Sequence, residues 1–161
     1  MSSSSRFGHI YLVLFWIAVM GVVWLAMERF MEPKKAVVTA QGDLVVPRHR
    51  DGHFYVDGTV NGRAVRFLID TGASSVSITE ALAREAGLEG GEPTTFLTAN
   101  GPRPGRIVRG VAVTAGPLTV APTAVGVGLV GKADDYGLLG QSFLSKFHVS
   151  MTREQMVLRR P

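Results

Sequence analysis

The period of apolar and polar positions changes once along this chain, and that change divides it. From Phe7 to Met27, "FGHIYLVLFWIAVMGVVWLAM", no Asp, Glu, Lys or Arg interrupts the run. A helix needs about 20 such residues to span a bilayer core, so the pattern predicts one transmembrane helix over 7–27. A buried helix of a soluble core would keep a polar face, and this run has none. A signal-peptide core is about 7–15 residues long and precedes a small-x-small cleavage site. Here the run is longer, and Trp24 stands two places before Ala26. An uncleaved anchor is expected, with a tail over 1–6 before it and a linker over 28–41, broken by Pro33, after it.

From Gly42 onward the pattern is that of short strands. "DLVVPR" is apolar and brief, and "GHFYVDGTV" alternates, with Phe54, Val56 and Gly58 on one face and His53, Tyr55 and Asp57 on the other. Asn61-Gly62 follows, a hairpin signal because a two-residue turn of the I′ type needs φ > 0 at both positions. The return strand is "RAVRFLI", which ends at Asp70. "VSIT" is a further strand. Thr79 can cap a helix over "TEALAREAGL", with Glu80 in its first turn and Gly87 at its end. "TTFLTA" precedes Asn100-Gly101, "GRIVRGVAVTA" and "LTVAPTAVGV" pair around Gly116-Pro117, "QSFLSKF" has the length of a short helix, and "FHVSM" with "QMVLRR" forms a last hairpin. Many short strands separated by turn signals, with one or two short helices, predict a mostly β domain over 42–161.

Charge and composition remove several function classes. Lys and Arg exceed Asp and Glu by four, but the arginines beyond Gly52 (Arg63, Arg66, Arg84, Arg103, Arg106, Arg109, Arg153, Arg159, Arg160) are scattered. They form no basic stripe and no aromatics alternate with them, so nucleic-acid binding is not expected. The chain has no cysteine, which removes disulfides, zinc-thiolate sites and thiol nucleophiles. His9, His49, His53 and His148 show no metal-ligand spacing, so neither a metal nor a cofactor is expected.

Three motifs carry candidate chemistry. "GVGLVGKA", Gly126 to Ala133, fits G-x-G-x-x-G and nearly fits a P-loop, but Ala133 stands where Ser or Thr should hold magnesium. Both readings need a helix starting at the glycines, whereas "ADDYG" reads as a turn, so a Gly-rich loop is expected. Ser74, Ser75 and Ser77 lie near one another with no base in the pattern and no G-x-S-x-G elbow. Asp70-Thr71-Gly72 is the third. A strand-ending Asp-Thr-Gly is often a turn in which Asp caps its own backbone. It can equally present a carboxylate for acid–base work. "FLI" before it fixes Asp70 at the end of a buried strand, and the small Ala73, Ser74 and Ser75 after it admit close packing.

Taken with "FLIDTGASSVSIT", "TANG" at Thr98 to Gly101, "LLGQSFL" and the closing "MVLRR", the chain resembles the retropepsin-like aspartic proteases of the pepsin clan, and a bacterial membrane-anchored group of them in particular. The resemblance covers about Gly52 to Arg159. It implies a single-lobed, closed β-barrel of the acid-protease fold behind the transmembrane helix. It implies Asp70 as catalytic acid and base in an active-site loop with Thr71, Gly72 and Ala73. Thr71 would bond across to a second chain's loop, and Gly72 would let the backbone amide approach the carboxylates. Leu138, Leu139 and Gly140 would form the apolar stretch that threads this loop. Thr98, Ala99, Asn100 and Gly101 would belong to a flap running to Gly105, with either Asn100-Gly101 or Pro104-Gly105 at its tip. Ala73 stands where many two-lobed relatives carry Ser, whose hydroxyl supports an ionised pair in acid, which implies activity nearer neutral pH.

Aspartic proteolysis uses two carboxylates that share one proton around a water. The chain has one Asp-Thr-Gly, and Asp43, Asp51, Asp57, Asp134 and Asp135 sit in no matching loop. Two-fold symmetry brings a residue to its own copy, so the partner of Asp70 is expected to be Asp70 of a second chain. The expectation is a membrane-anchored, homodimeric aspartic endopeptidase acting on a peptide or protein. The alternative is a non-catalytic peptide- or partner-binding module on the same fold; a nucleotide-binding protein built on Gly126 to Lys132 is a remote third reading. A peptidase domain behind a single anchor suggests the bacterial inner membrane with the domain in the periplasm. Arg29, Lys34 and Lys35 against Arg6 point the other way.

Overall fold

The computed structural model describes residues 4–31, 35–98, 101–128 and 136–161. The chain divides into two compact units, Met1–Pro33 and Lys34–Pro161. The described residues of the first form one helix, α1 (Ser4–Met31). Its segment Ile10–Met27 has a mean hydropathy of 2.4, long and apolar enough to cross a membrane. Trp16, Trp24 and Leu25 stand exposed along it.

Among its described residues the second unit has eleven strands and two short helices. The strands are β1 (Val37–Val38), β2 (Leu44–Pro47), β3 (Tyr55–Val60), β4 (Arg63–Ile69), β5 (Val76–Ile78), β6 (Glu92–Thr98), β7 (Gly101–Ala115), β8 (Leu118–Val127), β9 (Tyr136–Leu139), β10 (His148–Met151) and β11 (Gln155–Arg159). The helices are α2 (Glu80–Glu85) and α3 (Gln141–Leu144). β1 lies inside the stretch whose sequence reads as linker, and it pairs with β2 through Val37 and Val45.

The larger sheet runs β3-β4-β9-β5-β8-β7 and returns to β3, closing a six-stranded barrel, with β6 attached outside β7. Closure comes at Gly58, which pairs with Ala115. A Cβ on Gly58 would sit 2.0 Å from the Thr114 carbonyl oxygen, so only glycine lets the two backbones approach. The Thr59 and Thr114 hydroxyls meet at 2.9 Å beside it. The expected alternation holds on both strands of the first hairpin. Phe54, Val56 and Val60 are buried, as are Val65, Phe67 and Ile69 of β4. They fill the barrel with Ile78, Val113, Val125 and Leu139. Each such side chain contributes about 1.5–3 kcal/mol by leaving water. Asn61 (φ +46°) and Gly62 (φ +85°) make the turn between β3 and β4.

Below the barrel a second sheet, β1-β2-β11-β10, joins the strands that flank the domain in sequence. Leu44, Val46, Met156 and Leu158 turn their side chains into the same core. α2 starts where the sequence places a cap. The Thr79 hydroxyl accepts from the Leu82 N–H at 3.1 Å. It ends in a Schellman arrangement: Gly87 (φ +67°) donates to the Arg84 carbonyl and Leu88 to that of Ala83.

Candidate active site

Asp70 follows directly on β4, and its position is fixed by the parallel pairing of β4 with β9. Leu68 lies beside Leu138 and Ile69 beside Leu139, after which the Asp70 N–H donates to the Leu139 carbonyl at 3.2 Å. The carboxylate turns back on its own loop: its Oδ1 accepts from the Gly72 N–H at 2.9 Å. The Ala73 N–H donates to the Asp70 carbonyl, closing a tight turn over Thr71 and Gly72. Asp70 is half-buried, while Thr71 and Gly72 are exposed on the outer side of the loop.

The far side of the loop is tied to α3. The Gln141 N–H donates to the Ala73 carbonyl at 2.8 Å and the Ser142 N–H to that of Ser74 at 3.1 Å. The Gln141 side-chain amide donates to the Thr71 carbonyl at 3.0 Å. The Ser142 hydroxyl accepts from the Val76 N–H at 2.9 Å and donates to the Ala124 carbonyl at 3.3 Å. Gly140 sits at the crossing, where a Cβ would lie 2.4 Å from the Ser75 carbonyl oxygen and 2.6 Å from that of Ala73. Leu139 and Gly140 therefore lie in direct contact with loop 70–75, and Leu138 is placed between Leu68 and Ser77 on either side of it. The Gln141 amide and the Ser142 hydroxyl hold the same loop, and sequence spacing gives no sign of either. Their place in "LLGQSFL", beside the leucines and the glycine, is the one available signal.

Over the loop extends the β6–β7 hairpin. Thr98 pairs with Gly101, and its hydroxyl donates to the Gly101 carbonyl at 2.8 Å. Ala99 and Asn100, between them, lie outside the described residues. Pro104 and Gly105 are paired within β7, opposite Thr95 and Thr94, and so stand away from the connection. A cleft of about 620 Å³ separates the hairpin from the loop; Asp70, Ala73, Ser75, Phe96, Thr98 and Leu138 line it among others. Asp70 is the one acidic residue lining the cleft among the described residues. Elsewhere Asp43 pairs with Arg159 and Asp57 with Arg66. Asp134 and Asp135 lie outside the described residues, as does most of "GVGLVGKA". Its first residues, Gly126 and Val127, end β8.

The hairpin is fastened at its root by Arg106. The guanidinium meets both Glu80 carboxylate oxygens, at 3.2 and 3.1 Å, and donates to the Leu88 carbonyl at 3.1 Å and to that of Gly90. This hydrogen bonding holds the Glu80 carboxyl below its usual range. Further out, Arg109 pairs with Glu92 at the start of β6.

A second polar cluster stands apart, before β3. Asp51 accepts from the His53 N–H at 2.9 Å and the Tyr55 hydroxyl at 2.8 Å, with His49 Nδ1 3.0 Å away. The His53 N–H chiefly holds the Asp51 carboxyl well below the usual carboxylate range, while desolvation and the bond to Asp51 push the Tyr55 hydroxyl up to about 12. His148 is exposed on β10.

Comparison with known proteins agrees with this geometry. The family model described as aspartyl protease matches residues 56–143. An uncharacterized protein of Rickettsia prowazekii is 33% identical over 119 residues, which are 68% of this chain and 47% of that protein. An uncharacterized protein in the cobV 5′ region of Sinorhizobium is 33% identical over 123 residues, 74% of this chain and 52% of that one. The chain thus spans about half the length of the curated relatives it matches. The crystal structure of a retropepsin-like aspartic protease from Rickettsia conorii superposes with a TM-score of 0.63 at 30% identity, covering 79% of this chain and 96% of that one.

Proposed function

Because this chain belongs to the aspartyl protease family, with a retropepsin-like fold, we propose that it is an aspartic endopeptidase, anchored in a membrane by α1 and active as a homodimer. One observation carries the reading. A single carboxylate, Asp70, sits on a loop held by backbone hydrogen bonds, facing a cleft under a hairpin, with no other acid lining that cleft among the described residues. A hydrolytic dyad needs two, and a two-fold axis through the loop supplies the second from another copy.

In the dimer, one Asp70 is ionised and the other protonated, because two like charges in contact do not both ionise. The ionised carboxylate takes a proton from a water between them, and the resulting oxygen attacks the scissile carbonyl carbon. The protonated carboxyl donates to the carbonyl oxygen as charge develops there. Collapse of the tetrahedral species breaks the C–N bond, and a carboxyl passes a proton to the departing amine. The Gly72 N–H orients the carboxylate, and the Thr71 hydroxyl, exposed in the single chain, would reach the partner's loop. Ala73, with Leu138, Leu139, Gly140, Gln141 and Ser142, keeps the loop from shifting. Thr98 and Gly101 belong to the hairpin that would fold over an extended peptide, and Ala99 and Asn100 complete the stretch assigned to it.

We place the protein in a bacterial inner membrane, single-pass, with the domain over 42–161 in the periplasm; a reporter fused after residue 161 reads the orientation. The deciding experiment on activity is digestion of a peptide library by the full chain in detergent, with Asp70→Asn as control. Cleavage by the parent and none by the variant is expected. A variant that cuts as well as the parent overturns the mechanism.

A further inference from the structure

Among the described residues of the hairpin, Phe96 turns a large side chain inward, and two glycines receive it. Along β6, Thr94, Phe96 and Thr98 are half-buried while Thr95 and Leu97 are exposed. Phe96 therefore faces the barrel, not the solvent. A Cβ on Gly105 of β7 would lie 2.6 Å from the Phe96 ring, and one on Gly126 of β8 would lie 2.8 Å from it. The ring thus lies on bare backbone at both strands and takes up room that two side chains would otherwise fill. Glycine inside a strand commonly marks such a close approach.

The row continues toward the reacting carboxylate. Gly126 pairs with Ser77 of β5, and Ser77 pairs with Leu138 of β9, beside the start of loop 70–75. The Ser77 side chain is buried, with its hydroxyl 3.1 Å from where a Gly126 Cβ would be. From Phe96 to Asp70 the cleft wall is therefore a ring, a serine and a leucine, with Gly126 against the ring. Phe96, Ser77, Leu138 and Asp70 all line the same cleft. An extended peptide bound under the hairpin turns alternate side chains toward this wall.

We propose that Phe96 is a specificity-determining residue: its ring, seated on Gly105 and Gly126, fills the recess in the cleft wall and limits the size of the substrate side chain that binds there, beside the scissile bond. The proposal rests on the peptidase reading of the cleft. With the ring present the wall accepts small and medium side chains. Without it, the bare floor of Gly105 and Gly126 accepts an aromatic one. A difference of one methylene in an apolar pocket changes discrimination by about 10- to 200-fold.

The test is a peptide library cut by the full chain in detergent, wild type against Phe96→Ala. The same library is captured on the Asp70→Asn chain with and without F96A. The expected result is a rise of about tenfold or more in the preference for Phe, Leu or Trp over Ala or Ser at one residue flanking the cut, in both arms. Gly126→Ala pushes the ring into the cleft and should shift the preference the other way; it decides alone if F96A does not fold. An unchanged size preference, or a uniform loss on every peptide, overturns the role of Phe96. A parent that cuts nothing overturns the peptidase reading, and the capture arm then judges the recess by itself.

Discussion

Gln141 donates its backbone N–H to the carbonyl of Ala73 at 2.8 Å, across a crossing at which Gly140 has no room for a side chain. Two carbonyl oxygens of the loop, those of Ala73 and Ser75, occupy the space a Cβ would need. Backbone cannot move aside as a flexible side chain can. Gly140→Ala is expected to destabilise the domain by about 3 kcal/mol. Its melting temperature, compared with the parent's, checks this. A melting temperature equal to the parent's would mean the crossing yields more readily than its geometry says.

The half-site reading makes a prediction about mixtures. When the parent and the Asp70→Asn chain exchange subunits at equal amounts, about one dimer in four carries two intact Asp70 residues. Cleavage per parent chain should fall by about half, while the sedimentation of the dimer stays the same. Activity that ignores the added variant would mean that one chain holds a complete site.

Arg106 and Glu80 make the root of the hairpin sensitive to acid. The folded protein holds the Glu80 carboxyl below its ordinary value of 4.5. The stability this contributes is present above that value and is lost as pH falls below it. Glu80 is half-exposed, so solvent screening keeps the effect to about 1 kcal/mol. Once the intrinsic pH dependence of exchange is divided out, the protection factors of the Glu92 and Thr94–Thr98 amides should fall below about pH 4 in the parent. In Glu80→Gln they should already be low at neutral pH and change little on acidification.

Ala73 bears on the pH of catalysis. No hydroxyl stands at this position to support an ionised dyad in acid, so the pH–rate profile is expected to peak toward neutrality. A maximum below about pH 4, where free carboxylates titrate, would contradict it. Ala73→Ser should move the acid limb of the profile downward.

Local signals in the sequence carried much of this structure. Asn61-Gly62 announces its hairpin because only certain residues reach positive φ there, and Thr79 announces α2 because a hydroxyl can accept the Leu82 N–H. Asp70 is legible as a candidate for the same kind of reason. What escaped is non-local. Nothing near Val37 says that it will pair with Val45 in a sheet completed by β11. Gly58 reads as one more inward position, yet its role is set by the Thr114 carbonyl. Gln141 and Ser142 act through partners about seventy residues away. Phe96 looks like ordinary core until Gly105 and Gly126 are brought beneath it.

The lower sheet has a consequence for how the chain is made. β2 lies sandwiched between β1 and β11, with Val45 opposite Val157. A ribosome adds about 5–20 residues per second, so β2 waits on the order of ten seconds for its partner. During that interval Leu44 and Val46 have no finished core to enter. The domain is thus completed only once β11 has been made, and until then β2 offers an open edge to a neighbour's strand.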